Sequence, residues 1–217
     1  MSLHRLVLLR HGETDWNAQM RLQGHRDIPL NDRGLAQATA AAPSVAGFAP
    51  ELTMVSDLQR ARQTAAPVAA LLGVEPTLDA RLRETSMGRW EGLTRADVAD
   101  GWPGAWEHWR SSIADVAPPE GETRAEVADR ARAVVDEIAA RPDGPGSALL
   151  VSHGGLILGL TALLLGLPRA HWHALTGVSN CHWVELELQD EQWRLRAYNA
   201  GLGAIVMPAA DDEVAGV

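Results

Sequence analysis

Short runs of almost continuously apolar residues recur along the chain, separated by longer stretches of mixed polarity. Residues 3–9 and 147–152 are typical of strands buried on both faces of a parallel sheet, and a shorter run at 52–55 fits the same interpretation. Two late runs, at about 181–188 and 192–198, are joined by three polar residues and predict an antiparallel hairpin. The runs together predict a mostly parallel central sheet with one antiparallel strand.

Helical periodicity fills the intervals between these runs. The clearest helix covers 124–140, where Thr123 and Glu126 offer a capping box at its start. The stretch 155–166 is apolar nearly all round, which is typical of a helix packed on a sheet and partly covered. Two further helical patterns lie at about 32–46 and 58–72. This alternation predicts a three-layer α/β/α sandwich.

Residues 86–121 interrupt the alternation with four of the eight tryptophans, several glycines and prolines, and only short helical patterns. We interpret this segment as a small helical cap over the edge of the sheet. A chain of 217 residues that is 46% hydrophobic can bury one full core, so residues 1–207 are predicted to form a single domain. The small, acidic residues 208–217 have little to bury and are predicted to form a flexible tail.

The charge balance narrows the classes of partner. With 19 basic against 28 acidic residues the net charge is −9, which disfavours nucleic acid and anionic membranes. No apolar run reaches the length of a membrane span and the start lacks a signal-peptide pattern, so we expect a cytoplasmic protein. All 19 basic residues are arginine, which excludes a Walker phosphate loop and Schiff-base lysine chemistry. The single cysteine, Cys181, excludes an internal disulfide and is expected to be buried.

Two histidines occupy equivalent places in the predicted sheet. His11 and His153 each follow a buried strand, and each is followed by a glycine, Gly12 or Gly154. Because ligands bind beyond the carboxyl ends of parallel strands, we expect the two histidines to meet at one site. Taken singly, each is as readily explained as a packed residue. The glycines allow close approach of backbone and ligand and favour a functional site.

Two arginines and one glutamate accompany these histidines. Arg10 precedes His11, and Arg60 falls in the first turn of the helix predicted after 52–55, so the two guanidiniums with the helix amides describe an anion-binding site. Most of the other arginines are expected on the surface. Glu84 ends a strand-like segment, and such a residue taken alone is more often an ion-pair partner than an acid.

The stretch from Leu9 to Asn17 reads Leu-Arg-His-Gly-Glu-Thr-Asp-Trp-Asn and resembles the signature of the histidine phosphatases, the phosphoglycerate mutase-like superfamily. Further matching segments follow in order over roughly residues 4–200. They are Asn31 to Ala38, Ser56 to Ala61 with Thr64 and Ala65, Leu82 to Glu84 with Gly88 to Gly92, and Ser152 to Gly155.

The resemblance implies a role for each matching residue. His11 would be the nucleophile that accepts the phosphoryl group, and Glu84 the acid that protonates the leaving oxygen. The residues that would bind the transferring group or line its pocket are Arg10, Arg60, His153, Asn17, Gln23, Gly24 and the amide of Gly154.

The chemistry of a phosphohistidine sets requirements on these groups. A neutral His11 is needed, and the fixed charges of Arg10 and Arg60 favour that form. His153 is expected to be cationic when substrate is bound, and Glu84 to hold a proton beside a phosphate dianion. The resemblance implies no cofactor. The pair His171 and His173 is expected on a helix or loop with the rings apart, so no metal site is predicted.

The same family contains mutases as well as hydrolases. The residues after Glu84, the short insertion and the absence of lysine favour a phosphatase acting on a small phosphorylated metabolite. The alternatives are a cofactor-dependent phosphoglycerate mutase and a non-catalytic phospholigand-binding protein. Several stretches, including Trp90 to Thr94 and His153 to Ile157, resemble the glucosyl-3-phosphoglycerate phosphatases, which makes glucosyl-3-phosphoglycerate a candidate substrate. Apolar residues expected on the surface of the last hairpin and of the 155–166 helix would allow a homodimer.

Overall fold

A single mixed sheet runs through the described part of the chain, which comprises residues 3–111 and 114–202 of a computed structural model. Its strands are β1 (Arg5–Arg10), β2 (Leu52–Val55), β3 (Thr77–Leu78), β4 (Ser147–Ser152), β5 (Trp183–Gln189) and β6 (Gln192–Ala200). Their order is β3-β2-β4-β1-β5-β6, and among them β5 alone runs against the others. The predicted mostly parallel sheet with one antiparallel strand is confirmed.

Helices cover both faces of this sheet. The α-helices are α1 (Asp15–Ala18), α2 (Asp32–Ala46), α3 (Gln59–Leu72), α4 (Arg95–Gly101), α5 (Ala105–Ser111), α6 (Arg124–Ala139) and α7 (Gly154–Leu164). Short 3-10 helices lie at Ala80–Leu82, Gly88–Trp90 and Arg169–Ala174. The capping box predicted from Thr123 and Glu126 is present at the start of α6, where each side chain accepts a hydrogen bond from the other residue's backbone amide.

The alternation of side chains along β1 explains the three layers. Leu6 and Leu8 face a core built with α6 and α7, whereas Val7 and Leu9 face a second core built with α2 and α3. Because successive strand residues point to opposite faces, a strand that is apolar at every position needs helices on both sides. The predicted α/β/α sandwich is therefore confirmed.

The helix α7 is buried around almost its whole circumference. The α6 residues Ala125 and Ala128 pack with Ala162 and Trp172 on its outer side. The expectation of exposed apolar residues on this helix is therefore wrong, although Leu195 of the last hairpin is exposed. The homodimer stays a prediction.

Residues 86–121 hold a small apolar cluster of their own, separate from the two main cores. Trp90, Trp106 and Trp109 are buried in it together with Leu22 and Val98. The rings of Trp90 and Trp109 meet edge to face at 6.0 Å between centroids. These indoles are therefore structural to the segment, whose role as a cap remains a prediction.

The prediction that Glu84 ends a strand is wrong. The strand at this place is the two-residue β3, and Ala80–Leu82 form a 3-10 turn that precedes Glu84. The turn is stabilised locally because the Asp79 side chain accepts a hydrogen bond from the Arg81 amide and also pairs with the Arg81 guanidinium.

Within the described ranges, none of the helices combines the length and the apolar character that a membrane span requires. The predicted tail, 208–217, lies outside the described residues.

Candidate active site

The sheet brings the two predicted histidines to one edge. Strands β1 and β4 are parallel neighbours with Arg10 opposite Ser152, so both end at the same level. His11 and His153 follow directly, and their ring centroids lie 5.1 Å apart. The expected meeting of the two imidazoles is confirmed.

His11 is held as a neutral imidazole, and no described residue hydrogen-bonds to its Nε2. Its Nδ1 lies 2.7 Å from the Gly12 carbonyl oxygen, which can only accept, so Nδ1 carries the proton and Nε2 keeps its lone pair. Burial lowers the pKa of His11 well below its usual 6.5, and the charges of Arg60 and Arg10 lower it further. The neutral form expected for this histidine is the one that the site stabilises.

His153 is tied to its neighbours through both ring nitrogens. Nδ1 accepts a hydrogen bond from Arg60 Nε at 3.2 Å, so Nε2 carries the proton and donates to the Ser56 hydroxyl at 2.8 Å. Burial, followed by the Arg60 charge, lowers its pKa well below 6.5. His153 is therefore neutral in the free protein.

Arg60 connects the histidines to a nearby loop. Its side chain is fully buried, and its two terminal nitrogens donate to the carbonyl oxygens of Gly24 at 2.8 Å and Arg26 at 2.7 Å. Burial lowers its pKa to about 10, so the guanidinium remains charged at neutral pH. Arg10, at the end of β1, donates to the Val178 carbonyl oxygen at 2.5 Å.

Glu84 is fixed beside the start of α7. One carboxyl oxygen accepts from the Thr85 amide at 2.7 Å and the other from the Gly155 amide at 3.1 Å. Its backbone carbonyl oxygen accepts from Arg130 Nη2 at 2.8 Å and lies 2.9 Å from His25 Nε2. Although Glu84 lies outside any strand, these contacts hold its carboxyl group at the end of the sheet where His153 lies.

The sequence model of the histidine phosphatase superfamily (branch 1) matches residues 6–201. The chain belongs to this superfamily. Glucosyl-3-phosphoglycerate phosphatase of Mycolicibacterium vanbaalenii is 42% identical over 217 residues, covering 92% of this chain and 96% of that protein. A probable phosphoglycerate mutase of Photorhabdus laumondii is 37% identical over 193 residues, covering 87% of each chain.

Solved structures agree with this assignment. Mycobacterial glucosyl-3-phosphoglycerate phosphatase in complex with VO3 superposes with a TM-score of 0.85 at 42% identity, covering 91% of this chain and all 100% of that one. The predicted family and enzyme class, a phosphatase, are confirmed.

Other residues predicted to line the pocket of this histidine phosphatase have structural contacts of their own. Asn17 Oδ1 accepts from the Thr14 amide at 3.1 Å and closes the capping box of α1. Gln23 is buried, and no described residue hydrogen-bonds to its Oε1. Gly24 has a φ of +51°, and a Cβ there would meet Glu91 Oε1 at 2.2 Å, so a side chain at this position would be strained and would displace Glu91. Gly154 is the first residue of α7.

Sequence reasoning gave no role to two residues that organise this histidine phosphatase site. Ser56 follows β2, the neighbour of β4, and so reaches the same sheet edge as His153. The place of Ser56 directly after a predicted strand is the sequence feature that could have identified it. Arg130, on α6, binds the backbone of the loop that carries Glu84, and nothing local in the sequence indicated this contact.

In residues 3–111 and 114–202, no group of three or more His, Cys, Asp or Glu side chains is arranged to hold a metal ion. His171 and His173 lie on the Arg169–Ala174 3-10 helix, as the sequence predicted for a helix or loop.

Proposed function

We propose that this histidine phosphatase hydrolyses a phosphomonoester of a small metabolite through a phosphohistidine on His11, and that its substrate is glucosyl-3-phosphoglycerate. The observation that carries the proposal is the free lone pair of His11 Nε2 in a site whose fixed charges are arginines.

In the first step, His11 Nε2 attacks phosphorus, forms an N–P bond and displaces the ester oxygen. Arg10 and Arg60 lower the pKa of His11 and attract the phosphoryl oxygens with the same charges. Glu84 gives its proton to the departing oxygen, so that an alcohol rather than an alkoxide leaves. Positive charge is supplied by protein side chains throughout.

In the second step, water attacks the phosphohistidine, the N–P bond breaks, and Glu84 takes the proton of the attacking water. The hydrogen bonds from the Thr85 and Gly155 amides keep the Glu84 carboxyl in place between the steps. His153, Asn17, Gln23 and the Gly154 amide bind the phosphoryl group in this proposal. A phosphate oxygen then replaces the Ser56 hydroxyl as the acceptor of the hydrogen bond from His153 Nε2.

The names of the 42%-identical relatives support the substrate. The proposed substrate carries permanent negative charge and does not cross a bilayer unaided, which agrees with the expected cytoplasmic location. Residues 86–121 form the proposed cap, and their tryptophan cluster gives it a fixed shape beside Glu84.

Substitution His11→Ala tests the proposal. We expect turnover of glucosyl-3-phosphoglycerate and of p-nitrophenyl phosphate to fall by at least about 1,000-fold, since the nucleophile is lost. Rapid quenching of the unaltered enzyme should trap an acid-labile phosphoenzyme that the variant cannot form. His108→Ala, on the exposed side of α5, is the matched control and should keep full activity. Retained turnover in His11→Ala would place the nucleophile elsewhere, and phosphoryl transfer from 2,3-bisphosphoglycerate exceeding phosphate release would indicate a mutase.

A further inference from the structure

Arg124, the first residue of α6, carries a buried cation that the mechanism above does not use. Its side chain has no exposed surface. No hydrogen-bond partner within the described residues reaches its Nε, Nη1 or Nη2. The guanidinium carbon lies 5.1 Å from the ring centroid of Trp109, so one face of the group stacks on the proposed cap.

A buried guanidinium without a hydrogen-bonded anion among the described residues is costly. Burial lowers the pKa of Arg124 only to about 10, so the group is charged at neutral pH. Contact with an aromatic ring offsets part of the desolvation but leaves the five N–H donors unpaired. A charge of this kind is retained where an anion meets it.

The residues that lead into Arg124 lie against the loop that carries Glu84, because the Glu122 amide donates to the Ser86 carbonyl oxygen at 2.9 Å and the Ser86 amide donates to a Glu122 carboxyl oxygen at 2.8 Å. The charge of Glu84 raises the pKa of Arg124 and so opposes the effect of burial. The carboxyl oxygens of Glu84 accept from the Thr85 and Gly155 amides and not from Arg124. The Thr85 hydroxyl is also buried, with no hydrogen-bond partner among described residues. Arg124 and Thr85 therefore both carry buried polar groups without a hydrogen-bond partner among the described residues, in two segments that contact each other next to Glu84.

We infer that Arg124 binds a second anionic group of the substrate, a carboxylate carried by the same small molecule as the scissile phosphate. A planar guanidinium pairs with a carboxylate through two parallel hydrogen bonds. Arg10 and Arg60 already serve the phosphoryl group, so a substrate with only one anionic group would leave Arg124 unpaired. The inference rests on the proposed function, whose glycerate moiety supplies such a carboxylate.

Two phosphate esters of similar size differ only in the group that Arg124 would bind, so a comparison of them tests this contact. 3-Phosphoglycerate carries a carboxylate at the position where glycerol 3-phosphate carries a hydroxymethyl group. We expect the unaltered enzyme to prefer 3-phosphoglycerate by about 30-fold in kcat/KM, the effect of one charge-assisted contact. Where either compound is turned over slowly, its inhibition constant against p-nitrophenyl phosphate hydrolysis serves as the readout.

Arg124→Met should remove this preference. We expect kcat/KM for 3-phosphoglycerate to fall by about 30-fold or more, while that for glycerol 3-phosphate stays within about 3-fold. Arg124→Lys keeps the charge but loses the paired donors, so it should restore part of the preference. Arg132→Met is the matched control on the same helix, because Arg132 pairs with Asp136 at the surface.

The outcomes separate this inference from the proposed function. His11→Ala should abolish the turnover of both esters, whereas Arg124→Met should affect only the carboxylated one. An equal loss on both esters in Arg124→Met, or an unaltered enzyme that does not distinguish them, would overturn the inference. Since the second measurement needs no variant, it can overturn the inference even if Arg124→Met does not fold, and Arg124→Lys then tests whether the preference depends on Arg124.

Discussion

His11 and His153 are chemically alike, but their surroundings fix them in opposite tautomers. His11 donates from Nδ1 to the carbonyl oxygen of Gly12, and His153 donates from Nε2 to Ser56 because Arg60 occupies its Nδ1. Among the described residues, His11 Nε2 therefore keeps a lone pair without a hydrogen-bond partner, whereas both nitrogens of His153 have partners. The difference follows from the partners alone and favours His11 over His153 as the proposed nucleophile.

The tautomers can be observed directly by ¹⁵N NMR of the imidazole nitrogens. At pH 6 we expect His11 to show a protonated Nδ1 and a bare Nε2, and His153 the reverse, since burial and the arginine charges lower both pKa values. Spectra of His11→Asn and His153→Asn assign the signals. Two protonated nitrogens on either ring at that pH would contradict the prediction.

At the scale of elements, α2 is pressed against the turn that follows β1. A Cβ on Gly12 would lie 2.6 Å from the Gly34 carbonyl oxygen, and one on Gly34 would lie 2.0 Å from the Glu13 carbonyl oxygen. These are backbone contacts that cannot yield without moving the helix. The glycine after His11 thus serves helix packing, and the packing holds the carbonyl that orients the His11 ring.

Gly34→Ala should therefore lower both stability and activity. We expect a loss of about 1–3 kcal/mol in the free energy of unfolding, as is usual for overpacking, together with a lower kcat as the turn carrying His11 shifts. Urea denaturation and p-nitrophenyl phosphate turnover measure the two effects. Gly101→Ala at the end of α4, where a Cβ meets nothing within 4 Å, is the control and should lower neither stability nor activity. Unchanged stability in Gly34→Ala would mean that this contact is loose.

At the scale of the whole molecule, the buried histidines make folding depend on pH. Both are neutral in the folded protein with pKa values lowered by burial, whereas in the unfolded chain they titrate near 6.5. Below pH 6.5 the unfolded chain therefore binds protons that the folded protein does not, and stability falls as the pH falls. Carboxyl groups with lowered pKa values, such as Asp57 and Asp79, affect the pH dependence of stability only at lower pH, below about 4.

The free energy of unfolding should drop between pH 6.5 and 5.5 with a slope that approaches about 1.4 kcal/mol per pH unit for each of the two histidines. Urea titrations at several pH values measure this slope. The double variant His11→Asn, His153→Asn removes both groups and should show a correspondingly shallower dependence. Equal slopes in the two proteins would show that other groups control the acid response.

The sequence by itself determined the layered fold and the meeting of the two histidines. Runs such as 147–152 are apolar at nearly every position and require helices on both faces, and parallel strands necessarily end at one edge. Both inferences need only local periodicity and chain order. For the same reason, the helix bounds predicted at 32–46 and 124–140 agree with the observed bounds to within one residue.

Only the tertiary structure decided where Glu84 lies and what surrounds it. Its turn is set by Asp79 and Arg81, and its place by Arg130 and the Gly155 amide, which are far from it in the chain. The lack of a hydrogen-bond partner for Arg124 among the described residues likewise shows only once the chain is folded. Whether a polar side chain has a hydrogen-bond partner depends on long-range packing, and the periodicity of the sequence does not predict which distant groups come into contact.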